Sequence, residues 1–216
     1  GFLTAKKKDS QDICFIPDGD YLASNDATEV SENYENGTPY VAVYKNGILY
    51  LNNINIENNA NGESSGAEDH AIYWKAADND DLIIELIEGT TNNISDGKWS
   101  AINGADGGGY RAPSLTIQGN GTLNVSCADN AIWVWDGTTI QNGATVNITC
   151  GGTGISNNVS RGKIVIKPGT TLNISASDYA VKTGTPVIFC TTGYTDEELA
   201  FMLNGVIYSG SDANAN

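Results

Sequence analysis

Basic residues are scarce in this chain of 216. Eleven Lys and Arg stand against 26 Asp and Glu, a formal net charge of −15. A field of that sign repels phosphate backbones and anionic lipid, so nucleic acid and membrane surfaces are not expected as partners. No apolar run approaches the roughly 18 residues that a bilayer-spanning helix needs, and membrane insertion is not expected. Histidine occurs once, at His70, and arginine twice, at Arg111 and Arg161. Lyase chemistry wants a basic group to take a proton beside a cation, and neither arginine has an acidic constellation nearby in sequence. Glycoside hydrolysis wants two carboxylates about 5 to 9.5 Å apart, whereas the outward strand positions are mostly Thr, Asn, Ser, Gln and Lys. No catalytic residue is assigned. A polysaccharide lyase or glycoside hydrolase is the third of three readings.

The four cysteines, Cys14, Cys127, Cys150 and Cys190, show no CxxC spacing, which argues against a metal cluster. Asp78-Asn79-Asp80-Asp81, with Glu68 and Asp69 before it, carries oxygen ligands. Read as a calcium loop from Asp78, however, it has Ile83 where the turn glycine belongs and Gly89 where the bidentate glutamate belongs. It reads as a solvated acidic loop, and neither a metal nor a cofactor is expected.

What the chain has in plenty is glycine, at 25 residues, with as many asparagines. Isoleucine, valine, leucine and aromatics are spread throughout, so it is turn-rich and helix-poor without being disordered. Three segments align without gaps: Leu115 to Cys127, Thr138 to Cys150, and Val165 to Ala176. In each, six residues separate two apolar anchors, Ile117 to Leu123, Ile140 to Val146 and Ile166 to Leu172. A third anchor follows nine residues later, at Ile132, Ile155 and Val181. The pairs Ala71-Ile72, Ala101-Ile102, Ala131-Ile132, Gly154-Ile155 and Ala180-Val181 recur at steps of 30, 30, 23 and 26. Val43 to Leu51 shows the same six-residue step, and the copy around 82–94 fits only loosely.

Within each copy, short runs alternate with period two and end at Gly, Asn or Asp, residues that accept the positive φ of a tight corner. Three short strands per 23–30 residues is the arithmetic of a coil whose equivalents stack about 4.8 Å apart. The expectation is an all-β fold: a single-stranded parallel β-helix of about five to six coils, right-handed by the rule for parallel crossovers. Residues 1–40 would form an N-terminal cap, 41–185 the repeats, and 186–216 a C-terminal cap. The last carries one short helix, opened by the capping box Thr195-Asp196-Glu197-Glu198 and stopped at Gly205.

The runs Gly121-Thr122-Leu123-Asn124-Val125, Ala144-Thr145-Val146-Asn147-Ile148 and Gly169-Thr170-Thr171-Leu172-Asn173-Ile174 resemble a family of β-helical repeat domains. These occur in surface proteins of Gram-positive and gut bacteria, and some are labelled carbohydrate-binding. The resemblance covers roughly residues 40–185. It implies an exposed, glycan-handling protein and transfers no site residue.

The residues themselves offer one cluster. If Ile72 and Ile132 point inward, Tyr73 and Trp133 point outward two coils apart, roughly 10 Å. Trp135 shares the side of Trp133, and Trp99 lies just ahead of the intervening anchor. Such rings can stack on the apolar faces of sugars, with Asn103, Asp129, Asn130 and Asp136 left to bind hydroxyls. The competing reading has an insertion loop, 62–68 or 106–112, folded over them. His70 reads as a corner residue. Asn124, Asn147 and Asn173 share an outward column and are expected to form an amide ladder; their sequons are a by-product of the repeat. Cys127 and Cys150 share a repeat position with Cα atoms about 5 Å apart, which suits a disulfide or a buried thiol pair equally. Cys14 and Cys190 fall in opposite caps and are not paired.

The expected function is non-catalytic adhesion or glycan binding, with a polysaccharide or a host or bacterial surface glycan as partner. A structural or protein-binding stalk is the alternative. Residues 1–5 before Lys6-Lys7-Lys8 are too short for a secretory leader, and the first glycine reads as a trimmed end. An extracellular or cell-surface location in a bacterium is expected from the acidic, Asn/Thr/Gly-rich composition instead.

Overall fold

The computed structural model describes residues 3–6, 13–27, 29–58, 70–75, 81–96, 99–105, 113–157, 162–184 and 187–189. Among them every regular element is a strand, and the strands gather into three sheets. In the first sheet Ile72–Lys75, Ile102–Ala105, Ile132–Val134, Ile155–Asn157 and Val181–Lys182 run parallel, each beside the next. Ile48–Leu51, Leu82–Leu86, Leu115–Gln118, Thr138–Ile140, Ile164–Ile166 and Val187–Phe189 do the same in the second. The third holds Asn55–Asn58, Thr91–Asp96, Thr122–Cys127, Thr145–Cys150 and Thr171–Ala176. Consecutive strands visit the sheets in turn, and every third strand pairs in parallel with its predecessor. The architecture is all-β with parallel sheets, an arrangement compatible with a β-helix. The helix expected near 195–203 lies outside the described residues.

Period-two alternation decides what the sheets enclose. Ile72, Ile102, Ile132 and Ile155 stack inward from the first sheet, Leu49, Ile84, Ile117 and Ile140 from the second, and Ile56, Ile94, Val125 and Ile148 from the third, none more than 4% exposed. Burying each contributes about 1.5–3 kcal/mol. In the first sheet the core also takes Trp74, whose ring lies where a Cβ on the neighbouring Gly104 would stand, 2.5 Å from Cζ2. Glycine at 104 is what admits the indole.

Antiparallel strands cover one end. Leu3–Lys6 pairs with Ile13–Ile16 and, through Thr4, with Tyr73. Tyr21–Leu22 pairs with Ala42–Lys45, and that strand with Ile48–Leu51. Sheet edges that would present unpaired N–H and C=O groups are thereby occupied. The six-residue step of Val43 to Leu51 is therefore the span of a hairpin and not a copy of the repeat. Its turn is Asn46-Gly47, with φ of 53° and 78°, the two positive values a tight hairpin demands.

The copy that fits loosely has a definite cause. Ile84 to Asn92 spans eight residues where the other copies span six, so its corner carries two more residues. Asn92 then stands in the inward column beside Leu123. It is wholly buried, and its amide is fully engaged. Oδ1 accepts from the Ile54 N–H at 3.2 Å, while Nδ2 donates to Thr90 Oγ1 at 3.0 Å and to the Thr122 carbonyl at 3.2 Å. The strand stays in register on both sides.

Candidate functional site

The outward face of the first sheet carries the candidate site. Because Ile72, Ile102 and Ile132 point inward, the next residue of each strand points out. Tyr73, Asn103 and Trp133 are direct neighbours across the ladder, followed by Ser156 and Lys182. The structure thus sets Asn103 between the two rings that the sequence placed on one column. Trp135, one residue past its strand, sets its ring 5.8 Å from that of Trp133 at 69°, an edge-to-face pair. Its backbone N–H donates to the Gly104 carbonyl at 3.2 Å, which fixes where the ring emerges. Tyr73, Trp133 and Trp135 are each partly exposed.

At the other side of the column His70 stacks on Tyr73, with centroids 5.6 Å apart and planes within 9°. Its Nδ1 donates to the Ser100 carbonyl at 2.8 Å, which holds the imidazole flat against the phenol. The corner reading of His70 missed this contact, which no period-two pattern signals. Asn103 lies between the rings and is only 5% exposed; its Oδ1 finds no hydrogen-bond partner among the described residues. An amide oxygen buried without a donor costs about 1–3 kcal/mol, so this is where a donor is wanted.

The other polar residues expected around the rings flank the strand that carries Trp133. Asp129 and Asn130 precede the strand Ile132–Val134, and Asp136 follows it. Asn130 is committed to its neighbours: Oδ1 accepts from the Thr153 N–H at 3.1 Å, and Nδ2 donates to Asp129 Oδ2 at 3.1 Å. Asp136, whose N–H donates to the Pro113 carbonyl at 3.1 Å, lies on the side toward Trp135. Trp99 is partly buried, its backbone N–H donating to Asp96 Oδ1 at 2.9 Å. Both insertion loops, 62–68 and 106–112, lie outside the described residues, as do Arg111, Arg161, Glu68, Asp69 and the first three residues of the acidic run. Asp81, its last, accepts from the Ser114 N–H at 2.8 Å.

Two other outward or corner motifs are structural. Asn173 Nδ2 donates to Asn147 Oδ1 at 2.8 Å, Asn147 to Asn124 at 2.9 Å and Asn124 to Asn93 at 2.9 Å, so the amide ladder runs one rung further than the repeat implied. Cys127 and Cys150 face each other in register as free thiols. Hydrogen bonding to Cys150, and then burial, push the Cys127 thiol above its ordinary range.

Burial also raises the Tyr73 phenol above its ordinary 10.0. The unfolded chain therefore loses this proton first as pH rises. The associated stability is complete below pH 10 and is lost as pH climbs through the folded value. Melting temperature should fall less steeply above pH 10 in Tyr73→Phe than in the wild type. Equal slopes would remove Tyr73 as a contributor.

A protein-family model described as a carbohydrate-binding domain-containing protein matches residues 27–186. No curated protein and no solved structure matches the chain.

Proposed function

Since the chain belongs to this carbohydrate-binding domain-containing family, we propose that it is a non-catalytic glycan-binding module, with the outward column of the first sheet as its platform. The observation that carries the reading is the sequence of groups on that column. Aromatic rings stand on either side of a buried amide oxygen that lacks a donor among the described residues. Tyr73 and Trp133, about two strand spacings or roughly 10 Å apart, take the apolar faces of successive sugars, with Trp135 extending the second ring. Asn103, Asp129 and Asp136 take hydroxyls, while the Asn130 amide holds the Thr153 N–H and Asp129.

In this reading the three sheets are the faces of a right-handed parallel β-helix of five to six coils. At one end the antiparallel strands Leu3–Lys6, Ile13–Ile16 and Tyr21–Leu22 cap it, while the second cap expected over 186–216 lies almost wholly outside the described residues. The protein is displayed on, or secreted from, a bacterial cell and adheres to a polysaccharide or a surface glycan. A rigid stack suits that role, because it holds rings at a set spacing before the ligand arrives. A structural or protein-binding stalk is the second reading, favoured by the burial of Asn103 and Ser156 on the same column.

The test is a glycan-array screen of the wild type beside Trp133→Ala/Trp135→Ala. The expected result is a wild-type signal that the double variant weakens by about 100-fold, since each stacked ring is worth roughly tenfold. Silence of the wild type across a broad array would instead assign the rings to packing or to a protein partner.

A further inference from the structure

We infer that a second carbohydrate site, for uncharged pyranose chains, lies on the second sheet, built from Tyr21, Tyr34, Tyr40 and Tyr50 beside the Glu85–Gln118–Gln141 ladder. The site rests on the proposed function only for its ligand class; its residues are wholly distinct.

The tyrosines come from four separated points of the sequence and meet only in the fold. Tyr34 packs edge-on against Tyr21 at 5.7 Å and 69°, and against Tyr40 at 5.3 Å and 82°. Tyr50 lies on the same face of this sheet, since Val43 pairs in register with both Tyr21 and Tyr50. All four remain partly exposed. Hydrogen bonds to the backbone hold the surrounding chain: Tyr21 and Ser31 exchange N–H and C=O at 3.0 and 2.8 Å, the Tyr34 N–H donates to the Gly19 carbonyl at 2.8 Å, and the Asn52 side-chain Nδ2 donates to the Tyr40 carbonyl at 3.0 Å. An ordered, half-open cluster of phenols offers ring faces and hydroxyls together, which is what a sugar's C–H face and its hydroxyl rim require.

The cluster continues into polar groups. Tyr50 pairs in register with Glu85, and Glu85 with Gln118. Gln141 Nε2 donates to Gln118 Oε1 at 2.7 Å, and Gln118 Nε2 donates to Glu85 Oε2 at 2.7 Å. Every link points toward Glu85, so the ladder delivers its polarity to a carboxylate next to the tyrosines. That carboxylate accepts from sugar hydroxyls. It also repels anionic sugars, as does the net charge of −15, and this selects an uncharged chain. With the first-sheet platform the protein becomes bivalent, and a polymer long enough to reach both sites is held by avidity.

Calorimetry on the intact protein, with cellohexaose, xylohexaose and mannohexaose as probes, tests this. Tyr34→Ala/Tyr40→Ala should remove one of two binding events and weaken retention on the cognate insoluble polymer by roughly tenfold or more. Tyr34→Phe/Tyr40→Phe, which keeps the rings and guards against a folding defect, should lose less, and Glu85→Gln should weaken the same event alone. If the Trp133→Ala/Trp135→Ala protein loses all binding while the tyrosine variants lose none, the second site is wrong and the platform stands. If only the tyrosine variants lose binding, the platform is wrong and this site stands. Failure of the wild type to bind any of the three probes overturns the inference. So does a dimer that the tyrosine substitutions dissociate, since the cluster would then be a self-association surface.

Discussion

Replacing Gly119 by alanine should lower stability by about 2–5 kcal/mol, because two independent penalties fall on one methyl group. Its φ is +96°, a conformation that L side chains rarely adopt. A Cβ there would also meet the Leu86 carbonyl oxygen of the neighbouring strand, with Glu85 Oε1 at 2.8 Å and the Leu86 nitrogen at 3.0 Å. The carbonyl belongs to the backbone and cannot step aside without disturbing the corner, where the Gly89 N–H donates back to the Asn120 carbonyl at 3.2 Å. Gly169 supplies the control. It turns an equivalent corner at φ +78° but has nothing within 4 Å of its would-be Cβ, so Gly169→Ala should cost only about 1–2 kcal/mol. Urea titration of both variants measures the difference through the midpoint at constant slope. Equal losses would mean that the corner, and not the contact with Leu86, sets the cost.

Asn92→Leu should also destabilise, by about 2–3 kcal/mol, although leucine is what the repeat calls for at this position. The leucine would remove the acceptor of the buried Ile54 N–H and the donor to the Thr122 carbonyl. Those groups lie between adjacent strands, where water does not replace the amide, and each orphaned partner keeps its desolvation penalty. At this chain length the loss corresponds to a drop of roughly 5–10 °C in melting temperature. An unchanged or raised melting temperature in Asn92→Leu would show that burial of the isobutyl group outweighs the three hydrogen bonds. Asn92→Asp, which keeps the acceptor but not the donor, separates the two halves of the argument.

The features that proved legible in the sequence share one property: they repeat. The inward columns at Ile117, Ile140 and Ile166 could be read because each strand must turn the same face to one core. The register of the two cysteines was visible because Cys127 and Cys150 hold one position in adjacent copies. The asparagine ladder was visible for the same reason, and only its extension to Asn93 was not, since the longer corner after Ile84 shifts that residue out of step. Tyr73 and Trp133 could be placed on one column because each follows an anchor directly. What the rings face was beyond reach. The separation of Asp129 and Asn130 from Asp136 by a strand, the use of Asn130 to hold the Thr153 N–H, and the stacking of His70 on Tyr73 all depend on which neighbour fills each gap.

By itself the sequence determined the period, the inward and outward sides, and the places where the chain must turn, since these follow from local alternation and from backbone freedom at glycine and asparagine. Tertiary structure decided the rest. It made Val43 to Leu51 a hairpin at the edge of the second sheet. It made Asn92 a substitute for a missing backbone partner, and it gathered four tyrosines that obey no repeat into one cluster. The reason is that hydrogen bonds between neighbouring strands, and ring contacts across loops, join residues tens of positions apart. No local pattern carries the identity of such a partner.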